Sequence, residues 1–239
     1  PGFADFRGEV ASALRMVESA VLLIDGTAGI QVNTNYVWSM AEKNELPRFV
    51  FVNKMDLEGA DFFKTLDELQ NTFQGKFVPI TVPDGSGESY KGVVDLLQAV
   101  AYQLDGGQEK KVTDVDLSEF EEYKHELLES VVELDEDLME KYFADEEITN
   151  DELVKGLLIG VASGEIIPVF AGSAMKNSGV KTLLEYLVKL TPAPDHAGVV
   201  KGTWEGEPVE VEIKDGHTAV ALVGKTMVDP YVGKWSTFT

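Results

Sequence analysis

Arg48-Phe-Val-Phe-Val-Asn53-Lys54-Met55-Asp56 is the stretch on which the fold turns. A short apolar run, rich in β-forming residues, stops at Asn-Lys-Met-Asp. In a parallel α/β sheet, ligands bind just beyond the carboxyl ends of the strands, and Asn53 to Asp56 falls there. The side chains suit one base edge. Guanine presents an N1 proton and a 2-amino group side by side, and one carboxylate, here Asp56, can accept both in a charge-assisted bidentate pair. Adenine offers neither donor, so a desolvated carboxylate would stay unpaired at a cost of about 1–3 kcal/mol. The Asn53 amide both donates and accepts, so it can tie this loop to its neighbours and to the base. The Lys54 stem can lie on a base face with its ammonium in water. The same residues also make an ordinary polar strand-to-helix turn, so the motif needs support elsewhere in the chain.

That support comes from two further stretches. Gly164-Glu-Ile-Ile-Pro-Val-Phe-Ala171 reads as a second buried strand, followed by Gly172-Ser173-Ala174-Met175-Lys176-Asn177. Small residues after a strand let backbone amides approach a ligand closely, and the Ala174 amide is placed to donate to the guanine 6-oxo group. The third stretch is Pro1-Gly2-Phe3-Ala4-Asp5-Phe6.

In combination, Pro-Gly-x-x-Asp-Phe, Asn-Lys-Met-Asp and Gly-Ser-Ala resemble the later nucleotide motifs of translational GTPases. The segments between them are similar to elongation factor G: Gly92-Val-Val-Asp-Leu-Leu97, Asp137-Leu-Met-Glu-Lys-Tyr142, Gly172-Ser-Ala-Met-Lys-Asn177 and Lys225-Thr-Met-Val-Asp-Pro-Tyr-Val-Gly-Lys234. The resemblance covers nearly the whole chain. It implies a GTP/GDP site in which Asn53, Asp56, Ser173 and Ala174 read the base, Lys54 covers it and Gly2 senses the terminal phosphate. It implies the ribosome as partner of a longer parent protein, and a cytoplasmic setting. The family's phosphate loop, its first switch and the aspartate two residues before Pro1 do not occur in this sequence. Mg²⁺ is therefore expected in the full-length parent only. Phe3 stands where elongation factor G has the histidine that orients the attacking water, and phenylalanine has no hydrogen-bonding group. In this respect the chain resembles the elongation-factor-G-like paralogues that carry an aromatic residue there. No catalytic residue can be named, and this stretch of chain by itself is expected not to hydrolyse GTP. Ribosome-protection and release-type factors of the same family share the resemblance. A reading of another class is an acidic protein-interaction module with vestigial GTPase motifs.

Composition sets outer limits. The 239 residues suffice for one large domain or two smaller ones. No run of 18 apolar residues marks a membrane span, and no signal peptide is visible. The absence of cysteine excludes disulfides and thiolate metal sites. His125, His196 and His217 lack ligand spacing, so no metal site is expected. Net charge is −22. From Asp105 to Lys155 there are 19 acidic and 5 basic residues, a balance of −14, so one segment holds most of the excess. Such a face repels phosphate backbones. It suits solvent or a protein partner better than RNA.

The periodicities predict an α/β fold: a partial P-loop-GTPase-type parallel sheet with an α-rich insertion, then the start of a β-barrel. The expected boundaries are 1–196 for a truncated GTP-binding domain, with the insertion at about 83–164, and 197–239 for the beginning of the barrel. Glu9 to Glu18 reads as a helix. Ala20 to Asp25 is a continuous apolar run, expected of a parallel strand covered on both faces. Helices are predicted for Thr34–Asn44, Asp61–Phe73, Asp137–Phe143 and Val180–Leu190, and strands for Phe49–Val52, Phe77–Ile80 and Ile166–Ala171. Ser118-Glu-Phe-Glu121 and Thr149-Asn-Asp-Glu152 read as capping boxes opening helices. Tyr90 to Asp105 is ambiguous between strand and helix, with a turn at Gly106-Gly107. Thr191-Pro-Ala-Pro-Asp195 reads as a linker, and antiparallel strands follow from Val199. Ala219 to Thr226 imitates a phosphate loop, but Pro230 and Gly233 suit a turn or strand end rather than the helix such a loop requires. Without a phosphate-loop strand beside it, Ala20 to Asp25 becomes a long apolar sheet edge, a site for self-association.

Overall fold

The computed structural model describes residues 3–193, 199–214, 216 and 220–239. Gly2, the end of the expected linker, His196, His217 and Ala219 lie outside these. Along the chain run α1 (Arg7–Leu14), β1 (Ala20–Asp25), α2 (Val32–Lys43), β2 (Arg48–Asn53), α3 (Phe62–Thr72) and β3 (Lys76–Pro79). Four short strands follow: β4 (Thr81–Asp84), β5 (Gly92–Asp95), β6 (Val100–Asp105) and β7 (Gln108–Val112). Then come α4 (Glu121–Val132), α5 (Glu136–Phe143), α6 (Asn150–Ala162), β8 (Ile166–Ala171) and α7 (Val180–Leu190). Last are β9 (Val199–Trp204), β10 (Glu207–Glu212), β11 (Val223–Asp229) and β12 (Gly233–Phe238). The chain divides into two units. One is Ser19–Thr191; the other gathers the described residues on either side of it.

In the larger unit, β1-β2-β8-β3 form a sheet whose neighbours are all parallel. Phe49 to Val52 and Ile166 to Ala171 are buried throughout, as continuous apolar runs in a two-face-covered sheet should be. Side chains alternate between two cores. Val50, Val52, Phe77, Ile167 and Val169 pack with Trp38, Leu66 and Leu69 on one face. Phe49, Phe51, Val78, Ile166 and Phe170 pack with Leu127, Val131, Leu157, Val161 and Leu183 on the other. Helices α4, α6 and α7 thus share the covering of that second face.

Several expectations change. Strand β1 is not covered on both faces: Leu22 and Ile24 are buried, but Val21 is 38% and Leu23 67% exposed. Among the described residues its one strand neighbour is β2. Helix α1 stops at Leu14, so Val17 falls outside it. The ambiguous stretch resolves into β5 and β6, which with β4 and β7 make an antiparallel sheet in sequence order. Pro83 lies within β4, opposite Val93. The capping box at Ser118 does not form. A 3-10 turn, Ser118–Phe120, precedes α4, and the Ser118 amide donates to Asp116 Oδ1 at 2.9 Å. Asp116 offers a shorter local acceptor, and such Asx contacts compete with helix capping. The box at Thr149 does form: the Thr149 amide donates to Glu152 Oε2 at 2.9 Å.

In the smaller unit, β9 with β10 and β11 with β12 are antiparallel hairpins. Gly224 and Lys225 lie inside β11, and Lys225 pairs with Glu9 of α1. Among the described residues no helix opens after them, so this stretch has no anion-binding helix N-terminus.

Candidate guanine-base site

Two loops meet because their strands are neighbours. Val52 of β2 pairs with Ala171 of β8, and the ladder runs on past both strand ends. The Gly172 amide donates to Val52 O at 3.0 Å, and the Met55 amide to Gly172 O at 3.1 Å. Asn53 then locks the pair. Its Oδ1 accepts from the Lys54 amide at 2.8 Å and from the Ala174 amide at 2.9 Å. The amide expected to reach the guanine 6-oxo oxygen is therefore already engaged, and a bound base has to share it.

Lys54 sits at φ +69°, in the left-handed region that costs a side-chain-bearing residue about 1–2 kcal/mol. Two contacts hold it there. One is its own amide on Asn53; the other is an ion pair from Nζ to Asp25 Oδ2 at 2.5 Å. Asp25 lies opposite Asn53 in the β1–β2 register. It also accepts from the amide and hydroxyl of Thr27, at 2.9 and 2.7 Å. The Lys54 ammonium and these Thr27 bonds hold the Asp25 carboxyl down at about 2. The Asp56 carboxylate is half-buried, and no described residue bonds it. It lines a recess of about 350 Å³ together with Tyr90, Leu104 and Lys176.

The second loop is rigid for reasons the sequence reading did not supply. A Cβ on Gly172 would meet Ser178 O and the Phe51 ring at 2.5 Å. The small residue there makes room for the protein's own loop. Ser173 is fully buried and exchanges two backbone hydrogen bonds with Ser178, each 2.9 Å. Its hydroxyl accepts from the Lys176 amide at 3.1 Å, so Ser173 braces the turn while Ala174 is exposed at its tip. The structure thus brings together Asn53, Lys54, Asp56, Ser173 and Ala174. Phe3 is 75% exposed in the smaller unit. Asp25 was missed in the sequence, because an aspartate closing an apolar run carries no signature of a lysine 29 positions on. Among the described residues no cluster of three or more His, Cys, Asp or Glu stands ready for a metal, and no helix is long and apolar enough to cross a membrane.

Comparison with known proteins converges on one lineage. Residues 1–106 match the model of the elongation factor Tu GTP binding domain. An elongation factor G-like protein from Thermotoga maritima is 39% identical over 236 residues, 98% of this chain. Over nearly all of its length the chain is similar to the elongation factor G-like translation factors. A solved protein from Thermus thermophilus superposes with a TM-score of 0.82 at 33% identity, covering 99% of this chain and 33% of that one. The chain spans about a third of the Thermotoga relative, 34% of its length. For an elongation factor G-like chain, the parallel sheet with an inserted, helix-rich segment and following β-hairpins is the expected architecture, and the interaction-module reading is not favoured.

Proposed function

We propose that the loops at the carboxyl ends of β2 and β8 read guanine in a GTP-binding translation factor that works on the ribosome in the cytoplasm. Asp56 takes the N1 and 2-amino protons, the Lys54 stem covers the base, and the Ala174 amide shares its proton between Asn53 and the 6-oxo oxygen. Ser173 keeps that amide in place, and Gly2 is assigned to the terminal phosphate. In the parent protein, Mg²⁺ arrives with the phosphates and belongs to the residues that hold them. The reading of boundaries is that 1–196 contribute to the nucleotide domain, with an insertion at about 83–164, and that 197–239 open a β-barrel domain. One observation carries the proposal: Asn53 Oδ1 bonds both loops at once, while the half-buried Asp56 carboxylate beside them has no partner among the described residues.

Calorimetry on the full-length protein tests it. GDP is expected to bind and ADP not to compete, and Asp56→Ala should weaken GDP by at least about tenfold, the worth of a bidentate charged pair. Equal affinity for GDP and ADP overturns the proposal.

A further inference from the structure

Both base loops are tied to the inserted segment, and the ties are specific. The turn before β5 reaches the first loop, where the Gly87 amide donates to Met55 O at 2.9 Å. Three residues on, Tyr90 Oη donates to Ser178 Oγ at 3.0 Å, inside the second loop. From β7, Glu109 Oε1 accepts from the Gly179 amide at 2.6 Å. Gly179 is the N-cap of α7, and its φ is +74°. It has no side chain to offer the helix, and the carboxylate of Glu109 takes its own backbone proton at the start of α7. A negative charge at a helix N-terminus is favourable. Adding a Cβ at Gly179 would bring it within 2.4 Å of Ala171 O, so the backbone there has little room to move.

These contacts have a common geometry. Ser178 is fully buried and pairs with Ser173 through both backbone bonds. A hold on Ser178 and Gly179 is therefore a hold on Ser173, and through it on the exposed Ala174 amide. Burial pushes the Tyr90 phenol up, so Tyr90 stays a donor at neutral pH. None of the three tying groups belongs to the motifs that face the base.

We infer that Tyr90 and Glu109 are positioning residues for guanine: carried on the inserted sheet, they fix the Ser173–Gly179 loop so that the Ala174 amide is presented to the 6-oxo oxygen. The inference rests on the guanine reading of the site. It makes the insertion part of the nucleotide machinery, because whatever bends the β6–β7 hairpin also moves the base loop. Linkage requires the reverse as well: bound guanine nucleotide stiffens the hairpin.

The two halves of the base site can be read separately. Inosine diphosphate keeps the 6-oxo group and lacks the 2-amino group that Asp56 takes. Loosening the Ala174 loop therefore weakens GDP and inosine diphosphate by the same factor and leaves their ratio unchanged. The experiment uses full-length protein as wild type, Tyr90→Phe, Glu109→Gln and, as control, Lys111→Gln, an exposed β7 side chain that touches neither loop. Calorimetry with GDP and inosine diphosphate is paired with amide hydrogen exchange over residues 173–179. Expected are losses of about five- to tenfold for both nucleotides in Tyr90→Phe and Glu109→Gln, faster exchange confined to residues 173–179, and wild-type values for Lys111→Gln. Wild-type binding with both variants within twofold overturns the inference and leaves the guanine reading standing. A changed GDP-to-inosine ratio also overturns it, because the damage then reaches Asp56. Failure of the wild type to bind GDP overturns the guanine reading, and the inference with it.

Discussion

Lys54 shows how much one residue can be asked to do. Its left-handed backbone is held by Asn53 below and Asp25 across the strand, so the side chain arrives at the candidate base site already oriented. The pair has a pH signature. The folded carboxyl of Asp25, at about 2, lies below the unfolded value of ~3.9. Its stabilising contribution is therefore complete above that unfolded value and disappears as pH falls through about 2. Carbon-detected NMR of the Asp25 carboxyl should give a midpoint near 2, and Lys54→Met should return it toward ~3.9. A wild-type midpoint near 4 would mean that the ion pair is absent in solution. At this scale Asn53, Lys54, Asp56, Ser173 and Ala174, which the fold brings together, could be picked out in the sequence, because the chemistry of a guanine edge limits which side chains can answer it. The supports were not. Asp25, Tyr90 and Glu109 act on residues 29, 88 and 70 positions away, and nothing in local spacing records such a distance.

Elements followed their periodicities where one face was buried and strayed where a local polar contact competed. The strands β2 and β8 were readable as unbroken apolar runs, and α3 as an apolar stripe. Ser118 failed as a cap because Asp116 took its amide first, whereas Thr149 had no such rival. Helix α6 carries a subtler constraint. Gly156 and Gly160 sit on its buried side, and a Cβ on Gly156 would come within 2.4 Å of Val131 Cγ1 on α4. Valine is held to one rotamer in a helix and cannot turn away. Gly156→Ala gains about 1 kcal/mol of helix propensity but incurs an overpacking cost of about 1–3 kcal/mol. Net destabilisation of about 1 kcal/mol is expected, read as a lower urea midpoint with an unchanged m-value. A raised midpoint would show that α4 and α6 have slack between them.

At the scale of the molecule, the sheet order could not be read from the chain alone, because pairing between distant strands leaves no mark on either. Its outermost strand is the clearest liability. Among the described residues β1 has a strand neighbour on one side only, and it shows Leu23 and Val21 to solvent; such edges recruit other strands. The isolated 239-residue polypeptide is expected to self-associate in sedimentation velocity as its concentration rises, and Leu23→Lys should shift it toward monomer. A wild-type chain that stays monomeric throughout contradicts this.

The position of β8 has a consequence of another kind. It lies between β2 and β3, with Ile166 opposite Lys76, yet residues 80–165 come before it in the chain. Until they have been synthesised, β2 and β3 have an empty lane between them and cannot zip together. Closing so long a detour is entropically costly, and contacts between distant residues slow folding. During synthesis the segment between β3 and β8 is thus a timer: β2, held by β1 along one edge, must wait for it with the other edge bare.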